Sequence, residues 1–372
     1  MPLFLIVFAS SAALAFIAKT TLNHRVFGRV PTGTRLGRIR KSSNYHRGAF
    51  QNHSPTPVMA EGVTTLGTMR DFLRPGKDRK PSRPLPSIKT DLKNLPDGED
   101  TLVWFGHSSY LLKISGKTIL VDPVFSGNAS PVSFFGKNYP GSNVYGVADM
   151  PEIDILLITH DHYDHFDYDT VVKVRPKVKQ VVASLGVGAH LERWGYAPDT
   201  IQELYWYETA QLSDGISLTA LPARHFSGRL FKRGQTLWSS FVLDASDYKL
   251  YLGGDSGYDK HFAEIGEKYG PFDLTILECG QYNQNWPYIH MMPEQTVQAA
   301  LDLRAKALLP VHWAKFTLAL HPWYEPIERV SKRAQEMQLP LATPLIGQAV
   351  VIGGKYPNTA WWHRVGEEKQ FV

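Results

Sequence analysis

Residues able to bind metal crowd into one short segment, ITHDHYDHFD at positions 158–167. An apolar run leads directly into His160, His162, Asp164 and His165. His160 and His162 are two residues apart, so they face the same way in an extended chain. Imidazole and carboxylate groups are suitable ligands for zinc, manganese or iron. This density of histidine and aspartate at the end of a strand predicts a metal-binding loop and disfavours a solvated polar loop.

Three further candidate ligands follow other apolar runs. His225 comes after LTALPAR, Asp255 after KLYLGG and His312 after ALLPV. Gly253 and Gly254 have no side chains and allow a close approach to a ligand. A single histidine after a strand is usually a hydrogen-bonded core or surface residue. Because the metal-binding loop alone cannot fill two metal sites, these additional residues predict a centre that holds more than one ion.

Short β-rich runs alternate with helical patterns from Thr101 onward, and they must position these ligands. This mixture indicates an α/β protein with a mixed sheet. Two stacked sheets between helices would suit the halves 101–245 and 246–352. The predicted strands cover 101–105, 110–114, 118–122, 153–159, 179–184, 216–223, 239–244, 249–255, 273–279 and 307–311, and the predicted helices cover 185–195, 261–270, 293–306 and 324–337.

The order of these motifs resembles the metallo-β-lactamase superfamily. The shared signature is His-x-His-x-Asp-His after a strand, then a histidine, an aspartate and a histidine that each end a later strand. Over about residues 101–352, the resemblance implies a four-layer αββα sandwich with two zinc ions at one sheet edge; the ligand types alone also permit manganese or iron. It implies one metal held by His160, His162 and His225, a second held by Asp164, His165 and His312, and Asp255 as the bridge between them.

A narrower resemblance is carried by GHSSYLL (106–112), DPVFSGNASPVSFFG (122–136), GDSGY (254–258), FAEIGEKYGPFDL (262–274) and VHWAKFTLALH (311–321). These segments are similar to the N-acyl-phosphatidylethanolamine-hydrolysing phospholipase D family and its bacterial relatives. The resemblance implies a zinc-dependent phosphodiesterase that cleaves such phospholipids with a hydroxide activated by two metals. The alternative is a lactonase of a phosphorylated sugar, because the ascorbate-6-phosphate lactonase branch shares the Gly-His-Ser element.

Other residues receive individual interpretations. Asp255, as the bridge, and His290, as a proton donor or phosphate contact, are the candidate catalytic residues. His107 is expected to contact either a metal ligand or the substrate, or else to form part of a structural turn. Asp122 supports the metal histidines by resemblance, with turn capping as the plain alternative. Lys315 is a second candidate for assisting the departing alkoxide.

Charge is distributed unevenly along the chain. Residues 3–18 carry no charge, residues 19–90 have a net charge of +12, and residues 91–372 have a net charge of −7. Positive charges after an apolar run favour an anchor with the body on the cytoplasmic side, and an exported protein with a signal peptide is the alternative. The basic segment predicts contact with an anionic membrane surface. The acidic body disfavours a nucleic-acid substrate.

These features divide the chain into four parts: an anchor or signal-like segment (1–22), a basic Pro/Gly-rich arm (23–97), a catalytic domain (98–360) and a C-terminal tail (361–372). The single cysteine excludes an intrachain disulfide scaffold.

The expected partners are a phospholipid substrate and an anionic membrane surface, and no nucleic acid is expected. The protein could also form a homodimer. A non-catalytic binding module is disfavoured, since it would not need a complete two-metal ligand set.

Overall fold

The computed structural model describes residues 24–74, 76–229 and 232–365. The expected anchor at 1–22 lies outside the described residues. Within the described ranges, no helix combines the length and apolar character needed to cross a membrane.

The first large sheet contains seven strands in the order β15-β3-β4-β5-β6-β7-β8. Strands β5 to β8 are parallel, so their carboxyl ends share one sheet edge. The run IDILLI has buried residues on both faces, as expected for a strand covered on both sides. The strands are β3 (Thr101–Trp104), β4 (Tyr110–Ile114), β5 (Lys117–Val121), β6 (Ile153–Ile158), β7 (Val178–Ser184), β8 (Ile201–Leu204) and β15 (Ala349–Val351).

The second large sheet contains six strands in the order β14-β13-β12-β11-β10-β9. The expected division of the sheets at residue 245 is wrong: the chain changes sheets between Leu204 and Thr209, and β15 returns to the first sheet. The two strands at this junction are short and mix polar with apolar residues, so they give little periodic signal. The strands are β9 (Thr209–Ser213), β10 (Ile216–Leu221), β11 (Ser240–Ala245), β12 (Tyr248–Leu252), β13 (Leu274–Glu278) and β14 (Leu308–Val311).

Helices cover the outer faces of both sheets. Alternate residues of β5 show the layering, because Leu120 packs with the helices outside the first sheet and Ile119 packs toward the second sheet. The four-layer αββα sandwich is therefore confirmed. Helices α3 (Tyr168–Val174) and α4 (Gly188–Arg193) lie on the first sheet, while α5 (His261–Tyr269), α6 (Pro293–Asp302) and α7 (Glu325–Glu336) lie on the second.

The basic arm lies against the body. It contains helices α1 (Gly33–Arg40) and α2 (Thr65–Leu73) and a hairpin of β1 (Tyr45–His46) and β2 (Ala49–Phe50). Ile39 is fully buried in a cluster with Trp206 and Trp238 of the body. Arg35 forms ion pairs with Glu192 at 2.7 Å and Glu203 at 2.6 Å. Burial and charge pairing together fix the first half of the arm.

The packed core extends beyond the expected boundary at residue 360. A 3-10 helix at Trp361–Val365 buries both tryptophans and the valine. The ring of Trp361 stacks on Trp313, with centroids 5.2 Å apart. The assignment of 361–365 to a tail is therefore wrong, because large aromatic side chains gain more by packing on the core than a solvated tail allows.

Candidate metal centre

Three histidine nitrogens converge at the carboxyl end of β6. His160 and His162 lie in the loop that follows this strand, and Nε2 of His160 is 3.0 Å from Nδ1 of His162. His225 follows β10 and places its Nε2 3.2 Å from the same Nδ1. Both sheets therefore contribute to one cluster, and the structure brings together the three residues expected at the first metal.

A second cluster lies beside it. Nε2 of His165 is 3.7 Å from Oδ2 of Asp164. His312, directly after β14, stacks on His165 with ring centroids 5.2 Å apart. The backbone of His312 has a φ of 68°, a strained conformation for a residue other than glycine. The structure thus brings together the three residues expected at the second metal.

Asp255 lies between the two clusters. Its Oδ1 is 3.1 Å from Nε2 of His165 and 3.2 Å from Nδ1 of His312. Its Oδ2 is 3.8 Å from Nε2 of His160 and 3.7 Å from Nε2 of His225. One carboxylate oxygen thus faces each cluster, as a bridging ligand requires.

Gly254 makes this position of Asp255 accessible. Its φ is 59°, and an added Cβ would lie 3.1 Å from both the Cβ of Thr159 and the carbonyl oxygen of Ser239. A larger residue would therefore be strained in its backbone and would press on the metal-binding loop. The glycine lets the turn after β12 approach the end of β6.

The residues present fit metal ions. Among the described residues, Nε2 of His165 and Oδ1 of Asp255 are buried without a hydrogen-bond partner although they are close together. A buried polar atom left unpaired costs about 1–3 kcal/mol, and a cation between the two atoms would remove that cost. Nitrogen and carboxylate donors suit zinc, and also iron and manganese.

The electrostatics of the centre favour bound positive charge. Burial lowers the pKa of His160, His225 and His312 well below the usual range, which leaves their nitrogens free to bind a metal. Burial also lowers the pKa of His165, but the carboxylates of Asp255 and Asp164 more than offset this, and its pKa is raised well above the usual value. The two carboxylates thus stabilise a positive charge in the position where a metal would lie.

Neighbouring groups orient the ligand rings. Nδ1 of His165 donates to Oδ2 of Asp122 at 2.8 Å, and the backbone N–H of Thr159 donates to Oδ1 at 2.9 Å. Nδ1 of His225 donates to the carbonyl oxygen of Ile289 at 2.8 Å. These bonds direct the opposite ring nitrogens to the centre. The supporting position expected for Asp122 matches its contacts.

Asp122→Asn is expected to weaken metal binding by about 10–100-fold, because the neutral amide holds His165 less firmly. Competition with a chelator of known affinity measures this change. Asp247→Asn, at an exposed turn, is the control and should leave the affinity unchanged. Equal affinities in wild type and Asp122→Asn would show that Asp122 only caps the turn.

A buried network supports the metal-binding loop from the side of the arm. Asp161 accepts hydrogen bonds from the backbone N–H of Gly228 at 2.6 Å and from Oγ1 of Thr236 at 3.0 Å. Its Oδ2 is 3.3 Å from Nε2 of His190, whose Nδ1 accepts from the backbone N–H of Arg29 at 2.9 Å. The role of His190 was not predicted, because nothing in its local sequence distinguishes it from a surface helix histidine.

His107 and Lys315 occupy different environments. Nε2 of His107 is 2.9 Å from Oδ2 of Asp164, so His107 contacts a candidate ligand directly. Lys315 is fully buried, and its Nζ donates to the carbonyl oxygens of Phe105 at 3.0 Å and Val124 at 2.9 Å. Burial lowers the pKa of Lys315 to about 7. The prediction that Lys315 assists a departing alkoxide is wrong, since its ammonium group is engaged inside the fold.

His290 lies over the centre. Its ring centroid is 5.0 Å from that of His225 and 5.2 Å from that of His312. Its Nδ1 is 3.1 Å from Oε1 of Glu278, which ends β13 and is fully buried. Burial lowers the pKa of His290, but Glu278 and Asp255 raise it, and the net effect is a pKa of about 8. Glu278 was not predicted; its only sequence signal is an acid at the end of an apolar strand.

An apolar wall borders the first cluster. The ring of Phe226 is 4.7 Å from that of His162. Phe226 packs with Trp286, Ile289 and Ala319, and Phe72 of α2 stacks on Trp286 with centroids 6.1 Å apart. The wall therefore connects the metal-binding loop to the arm.

Comparisons with known proteins agree with this architecture. Residues 117–313 match the model of the Beta-lactamase superfamily domain. The chain is 40% identical over 327 residues to the uncharacterized protein Rv0906 of Mycobacterium tuberculosis, which covers 87% of this chain and 88% of that protein. It is 31% identical over 243 residues to N-acyl-phosphatidylethanolamine-hydrolyzing phospholipase D 1 of Caenorhabditis elegans, over 62% of this chain and 68% of that protein.

A solved structure shows the same fold. Igni18, a metallo hydrolase from Ignicoccus hospitalis, superimposes with a TM-score of 0.52 at 20% identity, over 68% of this chain and 97% of that one. The chain therefore belongs to the metallo-β-lactamase superfamily and is a metal-dependent hydrolase. Within the superfamily, it resembles the N-acyl-phosphatidylethanolamine-hydrolysing phospholipases D.

Proposed function

We propose that this protein is a phospholipase D-type phosphodiesterase that cleaves N-acyl-phosphatidylethanolamine-like phospholipids, and that zinc fills both clusters. The observation that carries the proposal is the apolar wall of Phe226 and Trp286 beside His162. A phosphodiester with acyl chains presents a charged group and a long apolar surface together. The named activity of the Caenorhabditis elegans relative supports the same substrate class.

The residues of the chain would act in distinct ways. Two ions, held by the seven candidate ligands, would supply an activated water and neutralise phosphate charge. Asp255 would hold the two clusters at a fixed separation, because one of its carboxylate oxygens faces each of them. His290 faces the centre from the opposite loop, where it would protonate the departing oxygen or hold the phosphate. Phe226 would exclude water beside His162 and contact an acyl chain.

The lactonase of a phosphorylated sugar remains the second candidate. The metal ligands suit both reactions, but a small polar lactone gains nothing from the apolar ring of Phe226 beside His162. A nucleic-acid substrate receives less support, because part of the arm's positive charge is already neutralised. Arg35 pairs with Glu192 and Glu203, and Arg38 pairs with Glu208.

A substrate panel tests the proposal. Metal-loaded protein is incubated separately with N-acyl-phosphatidylethanolamine, a phosphorylated sugar lactone and single-stranded RNA. We expect mass spectrometry to detect phosphatidic acid and N-acylethanolamine from the first only. Opening of the lactone without lipid cleavage would replace the phospholipase assignment by the alternative.

The surface of α2 supports membrane association. Leu66, Met69 and Leu73 are 78%, 59% and 84% exposed, at helical spacings that place them along one side. Arg70 adds positive charge on the same helix, and Arg74, directly after the helix, pairs with Asp71 at 3.4 Å. Exposed apolar residues combined with basic ones are typical of helices that lie in a membrane interface. We propose that α2 contacts an anionic bilayer on the cytoplasmic face, with export as the alternative location.

The double variant Leu66→Asp/Leu73→Asp is expected to lower vesicle binding at least about tenfold. Each substitution removes an apolar side chain that would enter the bilayer and adds a negative charge that anionic lipids repel. The measurement is flotation with phosphatidylserine-containing vesicles, using protein without residues 1–22 so that the expected anchor does not contribute. Two controls are Met337→Asp, an exposed apolar site on a different layer, and hydrolysis of a short-chain soluble substrate; both should be unaffected. Undiminished binding would exclude α2 as the contact surface.

A further inference from the structure

A fully buried carboxylate stands behind His290. Glu278 ends β13 and has no exposed surface. Its Oε1 lies 3.1 Å from Nδ1 of His290 and accepts the backbone N–H groups of Ser256 at 3.2 Å and Met291 at 3.3 Å. Burying a carboxylate is costly unless its contacts compensate for the lost hydration. Packing alone therefore does not account for a carboxylate at position 278.

The contacts of Glu278 converge on one short stretch of chain. They fix the ring of His290 and the backbone of Met291, just before α6 begins at Pro293. Glu278 also contacts the backbone of Ser256, next to the bridging Asp255. A single carboxylate thus ties the loop that carries His290 to the turn that carries the bridge.

The orientation of the imidazole follows from these contacts. A carboxylate beside Nδ1 favours the form with a proton on that nitrogen, as a carboxylate does for the histidine of a hydrolase triad. Nε2 then points away from Glu278. The neighbouring rings on that side are those of His225 and His312, both candidate metal ligands.

We propose that Glu278 is a positioning residue for the hydrolytic reaction: it holds His290 with its Nδ1–H toward the carboxylate and its Nε2 toward the metal centre. The inference rests on the proposed function only for the identity of the substrate. Glu278 does not contact the reacting atoms and acts through His290. Its removal should therefore affect turnover more than substrate binding.

Two other roles for Glu278 would behave differently. If Glu278 only stabilises the loop from 281 to 292, its replacement should lower protein stability and turnover. The loss of turnover should then be the same with His290 and with His290→Gln. If Glu278 instead keeps the turn of Asp255 in place, its replacement should lower the metal content. The experiment separates these roles.

The test uses the metal-loaded full chain as wild type, Glu278→Gln, His290→Gln and the double variant, with Glu267→Gln on the exposed side of α5 as the matched control. Metal content is measured in each, and the side-chain nitrogens of His290 are observed by NMR with 15N-labelled histidine. We expect unchanged metal content and, in wild type, a proton on Nδ1 of His290. Glu278→Gln should lower the population of that form, and Glu267→Gln should not.

Turnover then tests the functional link. Glu278→Gln should lower kcat by about 10–10³-fold with a small change in KM, and the loss should largely disappear in the His290→Gln background. An equal loss in both backgrounds, a reduced metal content, or an unchanged nitrogen spectrum would each overturn the proposal. The NMR spectrum of His290 needs no substrate. If the phospholipase assignment is wrong, lipid cleavage will be missing while the expected spectrum is still observed.

Discussion

Asp255→Ala is expected to purify with less than one metal ion per chain, where the wild type should approach two. The reason is geometric, because its two carboxylate oxygens face different clusters, near His165 on one side and His225 on the other. Removing one pre-organised electrostatic group usually costs about 10²–10³-fold in turnover, and a group shared by both clusters should cost at least about 10³-fold. Metal analysis of chelator-free protein and initial rates on the same samples measure both effects.

A graded series makes this result specific. His160→Ala removes a ligand from one cluster only and should lose less metal than Asp255→Ala. Asp247→Ala, in the exposed turn between β11 and β12, should keep the metals and the activity of the wild type. If Asp255→Ala retained one tightly bound ion and His160→Ala retained none, the carboxylate would belong to a single cluster and would not be a bridge.

The approach of the candidate ligands could be predicted because the signal is local. Each ligand follows a strand, and strands that are parallel in one sheet end at one edge. The loop after β6 carries His160 and His165, and β14 delivers His312 in the same way. The resemblance to a known superfamily then supplied the pairing of ligands into two clusters, which spacing alone leaves open.

Apart from Asp122, most of the supporting residues could not be predicted, because their partners are distant in the chain. Ser108 lies beside the ring of His312, and His190 links Asp161 to the arm, yet each pair is far apart in sequence. Lys315 was predicted to assist the departing alkoxide, but the structure buries it on two backbone carbonyl oxygens. Tertiary contacts decide such positions, and a single sequence carries no record of them.

The predicted division of the strands between the two sheets was wrong for a related reason. β8 is parallel to β7 and extends the first sheet, whereas β9 pairs with β10 in the second. Both strands are short and contain several polar residues, so their apolar pattern is weak. Which sheet each strand joins depends on tertiary pairing, and the local pattern does not encode that.

His290→Gln is expected to keep the fold and both metals and to lower turnover of a phospholipid by about 10²–10⁴-fold, the usual effect of losing a general acid–base residue. The side chain faces the centre between His225 and His312, and its other ring nitrogen is held by Glu278. Glutamine has a similar length and can hydrogen-bond, but it cannot supply a proton to an alkoxide.

The leaving group distinguishes protonation from phosphate binding. If His290 protonates the departing oxygen, the loss should shrink for a nitrophenyl phosphodiester, because nitrophenolate departs with little need of a proton. If His290 only orients the phosphate, the loss should be equal for both substrates. Rates for the two substrates, measured with wild type, His290→Gln and the exposed control His363→Gln, provide the comparison. Normal turnover of both substrates by His290→Gln would leave His290 as a structural residue before α6, because a side chain that takes part in the reaction cannot be removed without effect.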